Sequence, residues 1–225
     1  MLMISLIIFL LSLAPKYLKF RESDYVFESK NNFFNTVFDK GNYGEFLTFN
    51  YLEKLNTYNK IMTNLYIPKE DGTTTEIDVI MIEATGIYVF ESKNYSGWIF
   101  GDKNHKNWTQ SLNNKVKNKF YNPIWQNSGH VNALKRVVGI DNKNIFKSYI
   151  VFSERCELKK LNITSQDIKV IKRNNLFKII NQDIMTSPNV FTKKEIDQLY
   201  LKLQEYAYMG EETKEMHVKN IKEFK

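Results

Sequence analysis

The chain has 225 residues, of which 43% are hydrophobic, and a formal net charge of +7. A chain of this size can bury enough apolar surface for one compact domain with appendages. Its single cysteine excludes an intrachain disulfide and a cysteine-built zinc site, and its three histidines are too few for a histidine-rich metal cage. The modest basic excess favours nucleic acid or anionic lipid as a partner.

The first twenty residues, MLMISLIIFLLSLAPKYLKF, begin with an almost wholly apolar run and end with basic and aromatic residues. No basic residue precedes the run, and Pro15 would directly follow the cleavage point, so a cleaved signal peptide is disfavoured. The run is short for a membrane span of roughly 20 apolar residues, although the aromatic residues after it could lie at the interface. We predict a membrane anchor at residues 1–20 with the rest of the chain in the cytoplasm, because Lys16 and Lys19 follow the run. The alternative is an amphiphilic helix that packs against this protein or a partner.

Helix and strand patterns follow in sequence after this segment. Residues 21–40 are polar and aromatic without a clear period, and they are predicted to be a linker. Apolar residues at helical spacing in GNYGEFLTFNYLEKL predict a helix at 41–55. Residues 60–67 predict a strand, and EIDVIMIEA and GIYVFESK predict two more, joined by a hairpin around Thr85 and Gly86.

The second half of the chain continues the mixture of helices and strands. The pattern predicts a helix at 122–139 capped by Asn122, strands at 145–153 and 168–172, and a last helix beginning at the capping box TKKE. Alternation of this kind predicts an α/β fold in which helices pack on a sheet. The predicted organisation is an anchor at 1–20, a linker at 21–40, a core at 41–153, an α/β extension packed on it with a C-terminal helix at 154–206, and a charged tail at 207–225.

Charged residues interrupt the two most hydrophobic strands at their ends. Residues 79–82 and 87–90 are apolar without alternation, which is typical of central strands buried on both faces. Asp78 precedes the first run, and Glu91 and Lys93 follow the second. A hairpin could bring Asp78 near Glu91, although the sequence alone leaves their register open. The alternative is an exposed hairpin with a surface ion pair, which contributes about 0–1 kcal/mol.

Two carboxylates at close range repel each other unless a cation lies between them. A magnesium ion held by one or two carboxylates and several waters would remove that repulsion. A metal ion, carboxylates and a lysine suit phosphodiester hydrolysis, because the metal lowers the pKa of a water while the lysine stabilises developing charge.

Four stretches in this order resemble the nuclease-related domain (NERD) family, a branch of the PD-(D/E)xK nuclease superfamily: GNYGE, TEIDVIMIEATGIYVFESKNYSGWIFG, NWTQ and NPIWQNSGHVNAL. The resemblance covers about residues 41–153. It implies a restriction-endonuclease-like mixed central β-sheet flanked by helices, and a site that cuts DNA or RNA with Mg²⁺ or Mn²⁺. Ile77 stands where the wider superfamily has a proline before the aspartate, as is usual in this branch.

The resemblance also implies roles for particular residues. Glu45 matches the acid of the first helix, Asp78 the metal-binding aspartate, and Glu91 with Lys93 the ExK pair. Gln126 matches the polar residue of a later helix. The implied metal ligands are Asp78, Glu91 and Glu45.

Three residues near this site have competing interpretations. Glu45 lies on the apolar side of its helix, but the Asn-x-x-Glu spacing from Asn42 also fits a helix cap. His130 lies in the apolar arc of its helix and is more simply a core histidine than a base. Glu76 is either a second acid beside the site or an exposed residue at the end of a strand.

A basic segment, GDKNHKNWTQSLNNKVKNKF at 101–120, contains five lysines and a single acid. Such an excess could follow a phosphate backbone. The predicted nucleic-acid contacts are Lys103, Lys106, Lys115, Lys117 and Trp108, with the indole as a surface on which bases stack. The alternatives are a solvated loop and helix face for the lysines and a packing role for Trp108.

Together these patterns predict a membrane-anchored, metal-dependent nuclease that acts on DNA in preference to RNA. The main alternative is a catalytically silent, membrane-tethered module that keeps the fold to bind nucleic acid or to support assembly. A third hypothesis is a structural anchor protein whose basic segments contact anionic lipid.

Overall fold

A computed structural model of the protein describes residues 2–112, 116–163 and 167–207. The helices are α1 Leu2–Arg21, α2 Tyr25–Ser29, α3 Phe33–Phe38, α4 Lys40–Leu52, α5 Pro123–Val138, α6 Leu176–Thr186 and α7 Lys193–Ala207. The strands are β1 Asn59–Pro68, β2 Thr74–Glu83, β3 Gly86–Lys93, β4 Gly97–Asp102, β5 Asn107–Leu112, β6 Val116–Tyr121, β7 Phe146–Phe152, β8 Cys156–Asn162 and β9 Ile168–Lys172. The predicted charged tail lies outside the described residues, apart from Ala207.

The central sheet has five strands in the order β1-β2-β3-β7-β9. The first three strands are antiparallel neighbours, whereas β3, β7 and β9 run parallel, so the sheet is mixed. Helices α4 and α6 cover one face and helices α5 and α7 cover the other. The α/β fold with a helix-flanked mixed sheet is therefore confirmed.

Burial on both sheet faces explains the unbroken apolar runs in β2 and β3. Alternate residues of a strand point to opposite faces. Val79 and Met81 pack in the core beneath α4, whereas Ile80 and Ile82 pack in the core beneath α5 and α7. The hairpin between the two strands ends at Gly86, whose φ is +149°. A Cβ atom there would lie 2.4 Å from the carbonyl oxygen of Ile145, so the close approach of β7 requires glycine.

The segment predicted as a linker, residues 21–40, forms helices α2 and α3 packed against α1 and α4. Tyr25 is fully buried, and its ring contacts Phe20 of α1 and Phe46 of α4. The C-terminal part of α1 is thus part of the domain. Nearer its N-terminus, by contrast, the apolar side chains of Met3, Ile4 and Ile8 are exposed, Ile8 by 61%. The span 3–21 is long and apolar enough to cross a membrane, with a mean hydropathy of 1.6.

A second sheet, with the strand order β6-β5-β4-β8, was not predicted from the sequence. Strands β4, β5 and β6 form an antiparallel meander, and β8 runs parallel to β4. Polar residues and lysines occupy most outward positions, so the alternation is weak in the sequence. One face of this sheet packs on the central sheet through Ile99, Trp108 and Phe152. The extension at 154–206 contributes β8 to this sheet and β9 to the central one.

Local capping signals in the second half of the chain are confirmed. The Asn122 side chain accepts a hydrogen bond from the backbone N–H of Ile124 at the start of α5. Thr192 and Glu195 form a reciprocal capping box, with 2.8 Å from the Thr192 N to a Glu195 carboxylate oxygen. These ends depend on residues within a single helical turn, which is why the sequence reveals them.

Candidate active site

The hairpin register places Asp78 beside Glu91. The ladder between β2 and β3 pairs Val79 with Phe90, so the next positions on the two strands are Asp78 and Glu91. The backbone N–H of Ser92 donates a hydrogen bond of 2.7 Å to Asp78 Oδ2. The two carboxyl groups therefore meet where these strands leave the buried part of the sheet.

Lys93 connects this carboxylate pair to helix α5. Its Nζ lies 2.6 Å from Glu91 Oε1 and donates a hydrogen bond of 3.1 Å to Gln126 Oε1. The Glu91 side chain is only 1% exposed and that of Lys93 17%. His130, one turn after Gln126, has its Nδ1 atom 3.7 Å from Glu91 Oε2. The structure thus brings Asp78, Glu91, Lys93 and Gln126 together.

Glu45 approaches the same group from helix α4. The interpretation of Glu45 as part of a helix cap is wrong, because Asp39, not Asn42, caps α4 and accepts a 2.9 Å hydrogen bond from the Asn42 N–H. Glu45 Oε2 is buried without a hydrogen-bond partner. Burial raises the pKa of Glu45 well above its usual value, and the carboxyl groups of Asp78, Glu76 and Glu91 raise it further. The Glu45 carboxyl therefore lies within range of the charges on these three acids.

Burial and neighbouring charges also shift the pKa values of Asp78 and Lys93. Burial raises the pKa of Asp78 well above its usual value, and the Glu91 carboxyl adds to the shift, whereas Lys93 and the Ser92 N–H oppose it. Burial alone would lower the pKa of Lys93, but Glu91 and Asp78 outweigh that effect and raise it. Lys93 is therefore a cation in a site that has an excess of acids over bases.

This donor set fits a hard divalent cation. Two buried carboxylate oxygens, Glu45 Oε2 and Glu91 Oε2, have no hydrogen-bond partner. Among the residues that the structure describes, no three histidine, cysteine, aspartate or glutamate side chains form a ready-made set of metal ligands. Magnesium commonly uses one or two carboxylates and completes its shell with water. Asp78 and Glu91, together with Glu45, are the residues that would hold such an ion.

The other sequence-predicted residues take different positions. Glu76 is half-buried and accepts a 2.7 Å hydrogen bond from the Tyr66 hydroxyl. Lys103 and Lys106 lie at the turn between β4 and β5, and Lys117 is exposed on β6. Lys115 lies outside the described residues.

The prediction that Trp108 stacks on nucleic-acid bases is wrong. Its side chain is 1% exposed, its Nε1 donates to the Asp102 carbonyl at 3.0 Å, and its ring stacks on Phe152. A ring that is covered on both faces cannot receive a base. The packing interpretation is the correct one.

Sequence reasoning missed a polar connection behind the site. The Thr48 hydroxyl of α4 lies 3.3 Å from the Ser92 hydroxyl of β3, and Arg173 Nε donates to Thr48 Oγ1 at 3.2 Å. Arg173 is fully buried, and its Nη1 also donates to Glu154 Oε2 at 3.1 Å. No local pattern indicates this link, because its members are distant in the sequence and belong to common residue types.

Comparison with known proteins gives two matches. The model of the family described as "Nuclease-related domain" matches residues 40–153. A Bacillus anthracis protein described as uncharacterized is 33% identical over 185 residues, which are 81% of this chain and 84% of that protein. No solved structure matches the chain.

Proposed function

Since the chain belongs to the nuclease-related domain family, we propose that it is a metal-dependent nuclease that hydrolyses phosphodiester bonds, with DNA as the favoured substrate. One observation carries this proposal. Asp78, Glu91, Lys93 and Gln126 converge at two central strands of the buried sheet, and Glu45 and Glu91 each have a buried carboxylate oxygen without a hydrogen-bond partner.

Each residue has a role that its environment supports. Asp78 and Glu91 would hold Mg²⁺ or Mn²⁺, and Glu45 would complete the acidic cluster. The bound ion would supply charge neutralisation at the phosphate and a lowered pKa for its water. The Lys93 ammonium stabilises negative charge that develops on the phosphate, and Gln126 holds that ammonium in place through its side-chain oxygen. The low exposure of Glu91 and Lys93 strengthens these interactions by limiting competition from water.

The decisive experiment is a cleavage assay on the full chain purified in detergent, because α1 contributes Phe20 to the core. Labelled linear, circular and single-stranded DNA and RNA are incubated with Mg²⁺, Mn²⁺ or EDTA. We expect metal-dependent cutting that Glu91→Ala abolishes. Glu70→Ala, which changes an exposed acid, is the matched control and should cut normally. A folded protein that binds nucleic acid but never cuts it would instead identify the catalytically silent binding module.

Metal binding should stabilise the fold more strongly at high pH. Asp78 and Glu45 have folded-state pKa values above their unfolded values, so between about pH 4 and the raised values the native state holds more protons than the unfolded state. Stability without metal therefore falls as the pH rises through this window. A cation favours the ionised carboxylates and reverses that loss. We expect Mg²⁺ or Mn²⁺ to raise the Tm more at about pH 8 than at about pH 5.

Differential scanning fluorimetry measures this effect. Asp78→Asn should remove most of the metal-induced rise in Tm, whereas Glu70→Gln, at an exposed position, should keep it. A rise that is equal at both pH values, or unchanged in Asp78→Asn, would contradict metal binding by these carboxylates.

We also propose that α1 attaches the domain to a membrane, with the domain in the cytoplasm. The support is the exposed apolar N-terminal part of the helix and the basic residues that follow it. The full chain should then sediment with cell membranes and resist alkaline carbonate. A variant with Ile4, Ile8 and Leu11 replaced by lysine should be released. Protease added outside intact cells should leave the domain uncut, and its digestion would contradict the orientation.

A further inference from the structure

The two faces of the second sheet differ in what they present. Ile99, Trp108 and the partly buried Phe120 point inward and pack on the central sheet. Gly101 makes room for the Trp108 ring, since a Cβ there would lie 2.2 Å from it. Trp98 and Phe100 alternate with these inward residues along β4, so they point to the opposite, outward face.

Lysines flank the two outward aromatic rings on both sides. On β6, Lys117 and Lys119 are exposed and pair in register with Ser111 and Thr109, which in turn pair with Trp98 and Phe100. On β8, Lys160 pairs with Phe100, and the Lys159 ammonium lies 5.0 Å from the centre of the Trp98 ring. We call this surface the outer face, defined by Trp98, Phe100, Lys117, Lys119, Lys159 and Lys160.

The outer face contains a groove of about 450 Å³ lined by Trp98, Phe100, Thr109, Ser111 and Lys117. The outer face has four lysines. The acid paired with Trp98 is Glu157, and it is bonded to Lys159. A groove with aromatic rings at its centre and cations along its edges is complementary to a polyanion that also carries flat rings. An apolar protein segment would bury the ammonium groups of Lys117, Lys119 and Lys160 without supplying partners for them.

We propose that the outer face binds a single strand of nucleic acid, with bases stacked on Trp98 and Phe100 and phosphates on the flanking lysines. Unpaired bases expose their ring faces to aromatic side chains, whereas bases in a duplex are already stacked on one another. Neighbouring strands lie about 4.8 Å apart. The lysines of β6 and β8 therefore lie on both sides of the aromatic rings, within reach of a backbone whose bases stack there.

The outer face lies close to the candidate active site along the chain. Trp98 follows Lys93 by five residues, so their Cα atoms are at most about 18 Å apart. A strand covers that distance with at most about five nucleotides, since each spans 3.4 Å when stacked and more when extended. A strand bound on the outer face would then reach the site within a few nucleotides. This connection to cleavage rests on the proposed function, whereas the binding itself does not.

The test is equilibrium binding by the full chain in EDTA, where metal-dependent cutting is prevented. The probe is a fluorescein-labelled oligodeoxythymidine of about 16 nucleotides, with a duplex of equal length beside it. We expect tighter binding of the single strand and a loss of about 5- to 150-fold in Trp98→Ala. Trp125→Ala, which removes an exposed indole on α5, is the control and should bind like the wild type.

Salt dependence tests the lysines separately. Replacing Lys117 and Lys119 together with glutamine should lower the slope of log affinity against log salt by about 1.4, the value expected for two lost phosphate contacts. The double variant Lys178→Gln and Lys194→Gln removes the same charge from exposed positions elsewhere and should keep the slope. Circular dichroism verifies that each variant is folded. These surface lysines can be changed without disturbing the core.

Several results would overturn the inference. The first is unchanged oligonucleotide binding in both outer-face variants, and the second is equal affinity for the single strand and the duplex. The third comes from a parallel assay with phosphatidylserine vesicles: the variants lose vesicle binding while oligonucleotide binding stays normal. Strand binding that depends on the outer face in a protein that cuts nothing would refute the proposed function and leave this inference standing. If the protein cuts normally and the outer-face substitutions leave strand binding unchanged, this inference is refuted and the proposed function stands.

Discussion

Replacing Lys93 with alanine is expected to reduce the rate of cleavage about 100- to 1,000-fold, the effect of removing one group that stabilises transition-state charge. The Lys93 ammonium is the cation that the structure places between Glu91 and Gln126, and it is held there by contacts of 2.6 and 3.1 Å. Without this ammonium, the negative charge that develops on the phosphate is no longer stabilised by a protein cation. Single-turnover cleavage at saturating metal measures the loss.

The stability of this variant must be measured in parallel, because Glu91 is buried and loses its ion-pair partner. Lys93→Gln keeps a hydrogen-bond donor near Glu91 and should remain folded while still cutting poorly. Lys60→Ala removes a lysine on β1 that pairs with Asp197 and is the matched control. Normal cleavage by folded Lys93→Ala would exclude the proposed mechanism.

Replacing Arg173 with methionine is expected to lower the free energy of unfolding by about 3 kcal/mol, at the lower end of the range for breaking a buried charged pair. Arg173 is fully buried and bonds to Thr48 of α4 and to Glu154 in the turn after β7. Thr48 in turn contacts Ser92 of β3. The lower end applies because Glu154 is 35% exposed and can regain water. Urea unfolding measures the change.

Arg136→Met provides the comparison for Arg173. Arg136 is 40% exposed and pairs with Glu70, which is 81% exposed, so its loss should change stability by about 0–1 kcal/mol. Similar losses in both variants would show that Arg173 makes no special contribution. Arg173 holds Thr48, and Thr48 lies on the same helix as Glu45. Loss of Arg173 should therefore shift Glu45, and a folded Arg173→Met variant should need a higher Mg²⁺ concentration for cleavage.

The closeness of Asp78 and Glu91 could be foreseen because both lie in one hairpin, within the 16 residues that end at Lys93. The sequence left their register open, and the structure fixes it by pairing Glu83 with Gly86 across the turn. Glu45 and Gln126 were assigned through the family resemblance, and the structure places Gln126 on Lys93. Arg173 could not be assigned, because nothing local distinguishes a buried arginine from a surface one.

The second sheet shows where sequence patterns fail. Trp98 and Trp108 both lie in short strands, yet one ring is partly exposed and the other is buried. Alternation along β4 and β5 shows that residues two apart share a face, but it does not identify which face is covered. The choice depends on the central sheet, which supplies Phe152 to cover Trp108.

Features that depend on neighbouring residues could be read from the sequence. These are the apolar central strands, the caps at Asn122 and Thr192, and the hairpin at Gly86 that carries Asp78, Glu91 and Lys93. The packing of residues 21–40, the inward orientation of Trp108 and the link from Arg173 to α4 became known from the folded structure. Burial depends on which surfaces meet after folding, and contacts between distant segments leave no period or spacing in the chain.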